Sequence, residues 1–249
     1  NFDFSLLPKI DQFEKKESFS FVKDYNIDDY NNLDKMDKVS KYWNEAQERI
    51  DTKEIAFFKT HSSNYNHKNL KYTNINKTRG SIYIVRDPRD VAISYSKFIG
   101  HSIDDTIEYM RGPSRQIWNQ DKSIGIILSR WDYHIASWLK LEESKIFIRY
   151  EDLLNNTQEV LLELIEFLQK TIKIRFEMNN SKLMNVIKTT SFEVLKKKEQ
   201  KDGFKEASKS SKFFRSGKSK QWEKILNKKQ INLIEESFNT YMKKFKYLD

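Results

Sequence analysis

The chain has 249 residues, long enough to bury the core of an α/β domain. It has no cysteine, which excludes disulfides, cysteine-ligated zinc, iron–sulfur clusters and a thiol nucleophile, and suits a reducing cytoplasm. Its formal net charge of +9 suits an anionic partner or a solvated basic surface, and no apolar run reaches the roughly 20 residues of a membrane span.

Residues 1–35 show little periodicity. From Asp37 to Ile50 the residues Val39, Tyr42, Trp43, Ala46 and Ile50 recur at helical spacing and predict a helix. Three short β-rich runs follow at Ile55–Lys59, Ser81–Val85 and Lys145–Arg149. After the second run Asp87 is placed to cap a helix, Pro88 suits its first turn and Asp90 adds a favourable charge there. Further helices are expected at Ile103–Met110, Ile124–Leu141, Gln158–Gln169, Ser181–Lys188, Phe192–Lys198 and Lys229–Lys246. Strands alternating with helices imply an α/β fold with a parallel sheet, and no linker-like stretch divides residues 1–249. Such a sheet binds ligands at the carboxyl ends of its strands, where His61, Arg86 and Tyr150 follow the three runs. Between Lys196 and Lys220 there are ten Lys or Arg against three acids, which fits either an anion site or a solvated surface.

Five segments, Phe57–His61, Tyr83–Phe98, Ile148–Leu153, Thr189–Val194 and Phe213–Trp222, together resemble those of the sulfotransferases that use 3′-phosphoadenosine 5′-phosphosulfate (PAPS), of the cytosolic type and in a form like bacterial members. Tyr83–Phe98 reads YIVRDPRDVAISYSKF and is similar to the family's 3′-phosphate-binding segment, which implies that role for Arg86 and Ser94. A guanidinium fork and a hydroxyl near a helix N-terminus suit a phosphate. Phe57–His61, FFKTH, resembles the family's strand-end Lys-Thr-His, which implies His61 as general base and Lys59 as the group that offsets charge on the sulfuryl. Ile148–Leu153, IRYEDL, implies Tyr150 at adenine, and Thr189–Val194, TTSFEV, implies Thr190, Ser191 and Phe192 there too. Phe213–Trp222, FFRSGKSKQW, resembles the Arg-Lys-Gly-x-x-Gly-Asp-Trp loop over the 3′-phosphate. Arg215 and Gly217 match, Ser216 stands in place of Lys, Lys220 in place of the second Gly and Gln221 in place of Asp. The lost glycine puts the loop's conformation in question.

The resemblance implies a P-loop-NTPase-like sheet and sulfuryl transfer from PAPS, with adenosine 3′,5′-bisphosphate leaving and no metal. The expected acceptor is a small molecule or glycan, with no nucleic acid and no membrane span. Acceptor loops are expected around Ser62–Thr78 and Gly100–Ser123, where Tyr65 and Trp118 supply aromatics. No counterpart of the family's dimer motif is present, so the resemblance fixes no oligomeric state. The family's Gly-rich 5′-phosphosulfate loop has no counterpart either, since the first glycine is Gly80. Asn1–Leu7 resembles the segment on the C-terminal side of that loop in bacterial relatives, so the first strand and loop are expected to be missing by truncation. A catalytically inactive nucleotide-binding relative stays open, as do a nucleotide kinase and a basic nucleic-acid-binding protein.

Overall fold

Strands and helices alternate along the chain as their differing periods predict. In chain order the elements are β1 (Ile10–Gln12), α1 (Met36–Glu48), β2 (Phe57–Lys59), β3 (Asn66–His67), β4 (Leu70–Lys71), β5 (Gly80–Val85), α2 (Pro88–Ile99), α3 (Ile103–Arg111) and β6 (Gln116–Ile117). Next come β7 (Ile126–Ile127), α4 (Trp131–Leu139), β8 (Ser144–Arg149), α5 (Tyr150–Asn155), α6 (Thr157–Ile172), α7 (Asn180–Thr189), α8 (Phe192–Asp202), α9 (Trp222–Ile225) and α10 (Lys228–Lys244). The structure is a computed structural model that describes residues 10–12, 36–50, 55–112, 116–117, 126–173, 175, 177–204, 207 and 211–249. The segment Asn1–Leu7 and Trp118 lie outside the described residues. Contacts group the chain into two units, each built from separated stretches.

The first unit holds Ile82–Arg111 and Ile146–Asp249. Strands β5 and β8 pair, and Tyr83 of one stacks on Phe147 of the other with centroids 4.8 Å apart. Helix α2 starts where the sequence places it. The Asp87 side chain accepts from the Arg89 N–H at 2.9 Å, Pro88 opens the first turn, and Gly100 closes the helix at φ 75. A left-handed residue there costs glycine little. Helix α2 packs on α3, α9 and α10. Ala92, Ile93, Ile107, Ile234 and Phe238 are buried, and each fully buried large aliphatic or aromatic side chain contributes about 1.5–3 kcal/mol. Helix α10 begins with a capping box between Asn227 and Gln230 and kinks at Phe238. A buried ionic network ties the end of β5 to the C-terminus. Arg89 pairs with Asp87 at 2.7 Å and Glu235 at 2.6 Å, and donates to the Tyr247 carbonyl at 2.9 Å. Glu151 accepts from the Asp87 N–H and the Tyr247 hydroxyl.

The second unit takes in the described residues of Asp3–Ser81 and Gly112–Lys145. Here β1 runs parallel to β2, with Ile10 opposite Phe57, while β3–β4 and β6–β7 are antiparallel. Trp43 and Ala46 of α1 are buried, and Trp43 meets Tyr72 edge-on at 5.5 Å. Asn44 and Gln47 donate to the Lys71 and Tyr72 carbonyls, which seats the β3–β4 hairpin on α1.

Several boundaries differ from the expected ones. In place of one helix over Ile124–Leu141, β7 pairs with β6, Ser129 turns at φ 57, and the helix starts only at Trp131. A left-handed residue cannot continue a right-handed helix. Helix α8 runs past Lys198 to Asp202 and stops at Gly203, φ 74. Helix α10 ends at Lys244, before Lys246 at φ 57. Tyr150, read as a strand end, is the first residue of α5.

Candidate functional site

In the first unit, Arg86 leaves the end of β5 and meets three other segments. Its guanidinium lies 4.5 Å from the centre of the Tyr150 ring, at the start of α5. Its Nη2 donates to the Lys218 carbonyl at 3.0 Å and stands 3.7 Å from Asp90 of α2. Its Nε is buried and has no hydrogen-bond partner. The stacking and the carbonyl bond orient the fork while one donor stays unspent, which is a fit for an anionic oxygen. Ser94 lies one turn beyond Asp90 on the same face of α2 and is half-buried.

The loop of residues 213–222 crosses this strand end. Gly217 adopts φ 61, and a Cβ built there would stand 2.5 Å from the Phe192 ring. Only a glycine lets the backbone lie this close to the aromatic face. Phe192, the first residue of α8, also meets Phe214 edge-on at 6.3 Å, and Lys196 sits 5.9 Å from its ring. Ser191 precedes the helix as its cap position without a side-chain cap bond, and the Thr190 hydroxyl donates to the Val186 carbonyl. Ser216 donates to the Gln221 side chain, which in turn donates to the Lys218 carbonyl. Gln221, where the family pattern has Asp, thus ties the loop to the same carbonyl that receives Arg86. Lys220 takes the left-handed φ of 56 in place of the expected glycine. Asp90 holds that turn, accepting from the backbone N–H groups of Trp222, at 3.1 Å, and Lys220.

Arg86 thus meets Tyr150, Gly217 meets Phe192, and the Lys218 carbonyl links Arg86 to the loop that carries Arg215, Ser216 and Gly217. Three residues hold this arrangement together without standing at a position the motifs assign to the nucleotide. Asp90, read as a helix-end charge, is fully buried beneath Arg86 and the loop; its i+4 spacing from Arg86 is the trace it leaves in sequence. Arg89 covers the Trp222 ring at 3.8 Å. Glu199, an acid among lysines, is buried and accepts from the Phe213 and Phe214 N–H groups.

In the second unit, Lys59 ends β2 half-buried and His61 follows it, exposed. The segment around His61 is fastened to the next strand and helix. The Ser62 hydroxyl accepts from Ile127 N–H and the Ser62 carbonyl from Trp138 Nε1. Asn64 N–H donates to Ser137 Oγ at 2.9 Å. His134 Nε2 lies 3.1 Å from the His61 carbonyl, and because a carbonyl only accepts, Nε2 carries the proton. Tyr65 of the expected acceptor loop stacks on His67 at 6.2 Å.

Local burial shapes the charges. Desolvation pushes the Asp90 carboxyl up, opposed by Arg86 and by the Trp222 and Lys220 N–H groups. Burial likewise raises Tyr150, and Arg86 pulls it back. Burial pushes the His134 imidazole down to about 4, against the bond to His61. Among the described residues no group of three His, Asp or Glu could hold a metal ion, and no helix is long and apolar enough to cross a membrane.

The profile of the sulfotransferase domain family matches residues 4–246. Sulfotransferase 1B1 of Canis lupus familiaris is 29% identical over 117 residues, 46% of this chain and 36% of that protein. Sulfotransferase 2A1 of Macaca fascicularis is 24% identical over 169 residues, 65% of this chain and 55% of that protein. The chain thus spans less than two thirds of the length of both relatives. Mouse sulfotransferase SULT7A1, solved in complex with PAP, superposes with a TM-score of 0.55 at 19% identity, over 85% of this chain and 70% of that one. That likeness shows the fold: the α/β parallel sheet flanked by helices that the strand–helix alternation predicts, in the P-loop-like form that the family resemblance implies.

Proposed function

The chain belongs to the sulfotransferase domain family, and from that membership we propose that it transfers a sulfuryl group from PAPS to a hydroxyl or amine acceptor. The observation that carries this reading is the meeting of Arg86 with Tyr150 and the Lys218 carbonyl, and of Gly217 with Phe192. These segments are far apart in sequence and supply the groups a nucleotide 3′-phosphate and adenine require. Arg86, Ser94, Arg215, Ser216 and Gly217 take the 3′-phosphate. Tyr150, Thr190, Ser191 and Phe192 set the base between an aromatic face and polar edges.

The acceptor attacks sulfur in line, and the bond from sulfur to the bridging phosphate oxygen breaks as the new bond forms. The acceptor proton passes to His61, Lys59 offsets charge on the sulfuryl oxygens, and adenosine 3′,5′-bisphosphate leaves. Catalysis is then positioning plus electrostatics. The acceptor is a small molecule or a glycan.

The test uses radiolabelled PAPS with phenol, alcohol, amine and sugar acceptors. In the intact protein, with a 5′-phosphosulfate loop in place, transfer should fall by about 10²-fold or more in His61→Ala, the usual scale for a lost general base. Near-normal turnover in that variant removes His61 from the mechanism. Tight binding of adenosine 3′,5′-bisphosphate without any transfer would favour the inactive relative, and phosphate transfer from ATP the kinase.

A further inference from the structure

We infer that Glu199 is a positioning residue for the phosphate-binding loop, its carboxylate setting the backbone at Phe213 and Phe214 so that Arg215 and Gly217 reach a 3′-phosphate. The inference rests on the nucleotide reading above. Glu199 sits in a lysine-rich helix, beside Lys196, Lys197, Lys198 and Lys201, yet only 6% of it is exposed. A buried acid is costly unless its oxygens are satisfied. Here each oxygen takes a different backbone donor: Oε1 accepts from Phe213 N–H at 2.7 Å and Oε2 from Phe214 N–H at 2.9 Å. Two consecutive N–H groups aimed at one anion form the kind of backbone nest that binds free anions elsewhere. In this chain the nest is filled from within.

The surroundings make the clamp firm. Phe204, Phe213 and Phe214 lie against one another with centroids 4.9 to 5.3 Å apart, which packs the two donor residues together. Arg215 is the next residue. Helix α8 then touches the loop a second time through Phe192 at Gly217. Phe192 and Glu199 are seven residues apart, two turns along one face, a rise of about 10 Å. The helix therefore holds the loop at two points with Arg215 between them in sequence. Removing the Glu199 anchor leaves the Gly217 contact as a pivot and lets Arg215 swing.

Glu199→Gln keeps the size of the side chain but turns one acceptor into an amide that faces an N–H donor. In the full chain, amide exchange at Phe213 and Phe214 should quicken at least tenfold. Affinity for adenosine 3′,5′-bisphosphate should fall about tenfold, while that for adenosine 5′-monophosphate, which lacks the 3′-phosphate, changes less than twofold. Glu199→Asp keeps the charge and both oxygens on a shorter stem. It should shift both readouts the same way by less, with little risk to the fold. Unchanged exchange in both variants overturns the clamp. Faster exchange beside an unchanged preference for the 3′-phosphate overturns the positioning role and leaves the nucleotide site standing. A wild-type chain that does not prefer the bisphosphate at all sinks the nucleotide reading and this inference with it.

Discussion

Gly217 shows how one residue type decides a local geometry. Its φ of 61 and the Phe192 ring 2.5 Å from a would-be Cβ penalise any side chain twice. The backbone term alone is about 1–2 kcal/mol for an L-residue. Gly217→Ala should therefore lower affinity for adenosine 3′,5′-bisphosphate about tenfold, as calorimetric titration would read, with only a small change in the unfolding temperature because the loop lies outside the core. Wild-type affinity in this variant would mean that the close approach to Phe192 has no part in binding. The glycine was legible in the sequence through the Arg-Ser-Gly pattern. The turn at Lys220 was not: its side chain argues against a left-handed φ, and what holds it there is Asp90, 130 positions earlier in the chain and read only as a helix-end charge. Local patterns record which residues a turn prefers, but not which distant carboxylate compensates for a poor choice.

At the scale of elements, helices with an apolar stripe were legible to within one or two residues, as with α1, α2 and α7. The failures share a cause. Ile126–Ile127 is apolar without being long enough to carry a period, so only its partner, Gln116–Ile117, makes it a strand. Strand β1 is three residues paired with β2, and pairing is a long-range fact. Helix α4 has a further role, because it fixes the segment that carries His61 through Ser137, Trp138 and His134. This gives the segment a pH dependence. The His134 imidazole, ordinarily near 6.5, is held down to about 4 in the fold. As pH falls below 6.5 the unfolded chain takes up a proton that the folded chain refuses, so stability is lost as pH falls from 6.5 toward 4. Discounted for a partly accessible ring, the loss between pH 7 and pH 5 is about 1 kcal/mol. Urea unfolding should show a lower midpoint at pH 5 than at pH 7, and His134→Gln should flatten that difference. An unflattened slope would place its source in another group.

For the whole molecule, the question raised by a net charge of +9 is whether the excess serves a small anion or a long one. The two make different demands on salt. A nucleotide with two phosphates, each carrying about −1.5 to −2, engages few cations at short range. Arg86, partly buried against Tyr150, is the kind of charge that salt screens least. Lys218 and Lys220 are exposed and lie within reach of screening ions. Affinity for adenosine 3′,5′-bisphosphate should accordingly weaken by no more than about tenfold between 50 and 200 mM salt, the loss coming from the exposed lysines. A nucleic acid spread along the basic stretch would make many phosphate contacts and lose about 10³–10⁵ over the same range. Titrating the chain with the bisphosphate and with a single-stranded oligonucleotide at several salt concentrations separates the cases. A shallow slope with the bisphosphate, and displacement of any bound oligonucleotide by it at micromolar concentration, assigns the positive field to steering a nucleotide into the Arg86 site. A steep oligonucleotide slope that the bisphosphate leaves untouched assigns it to a polyanion, and the lysines of α8 then belong to a surface separate from that site.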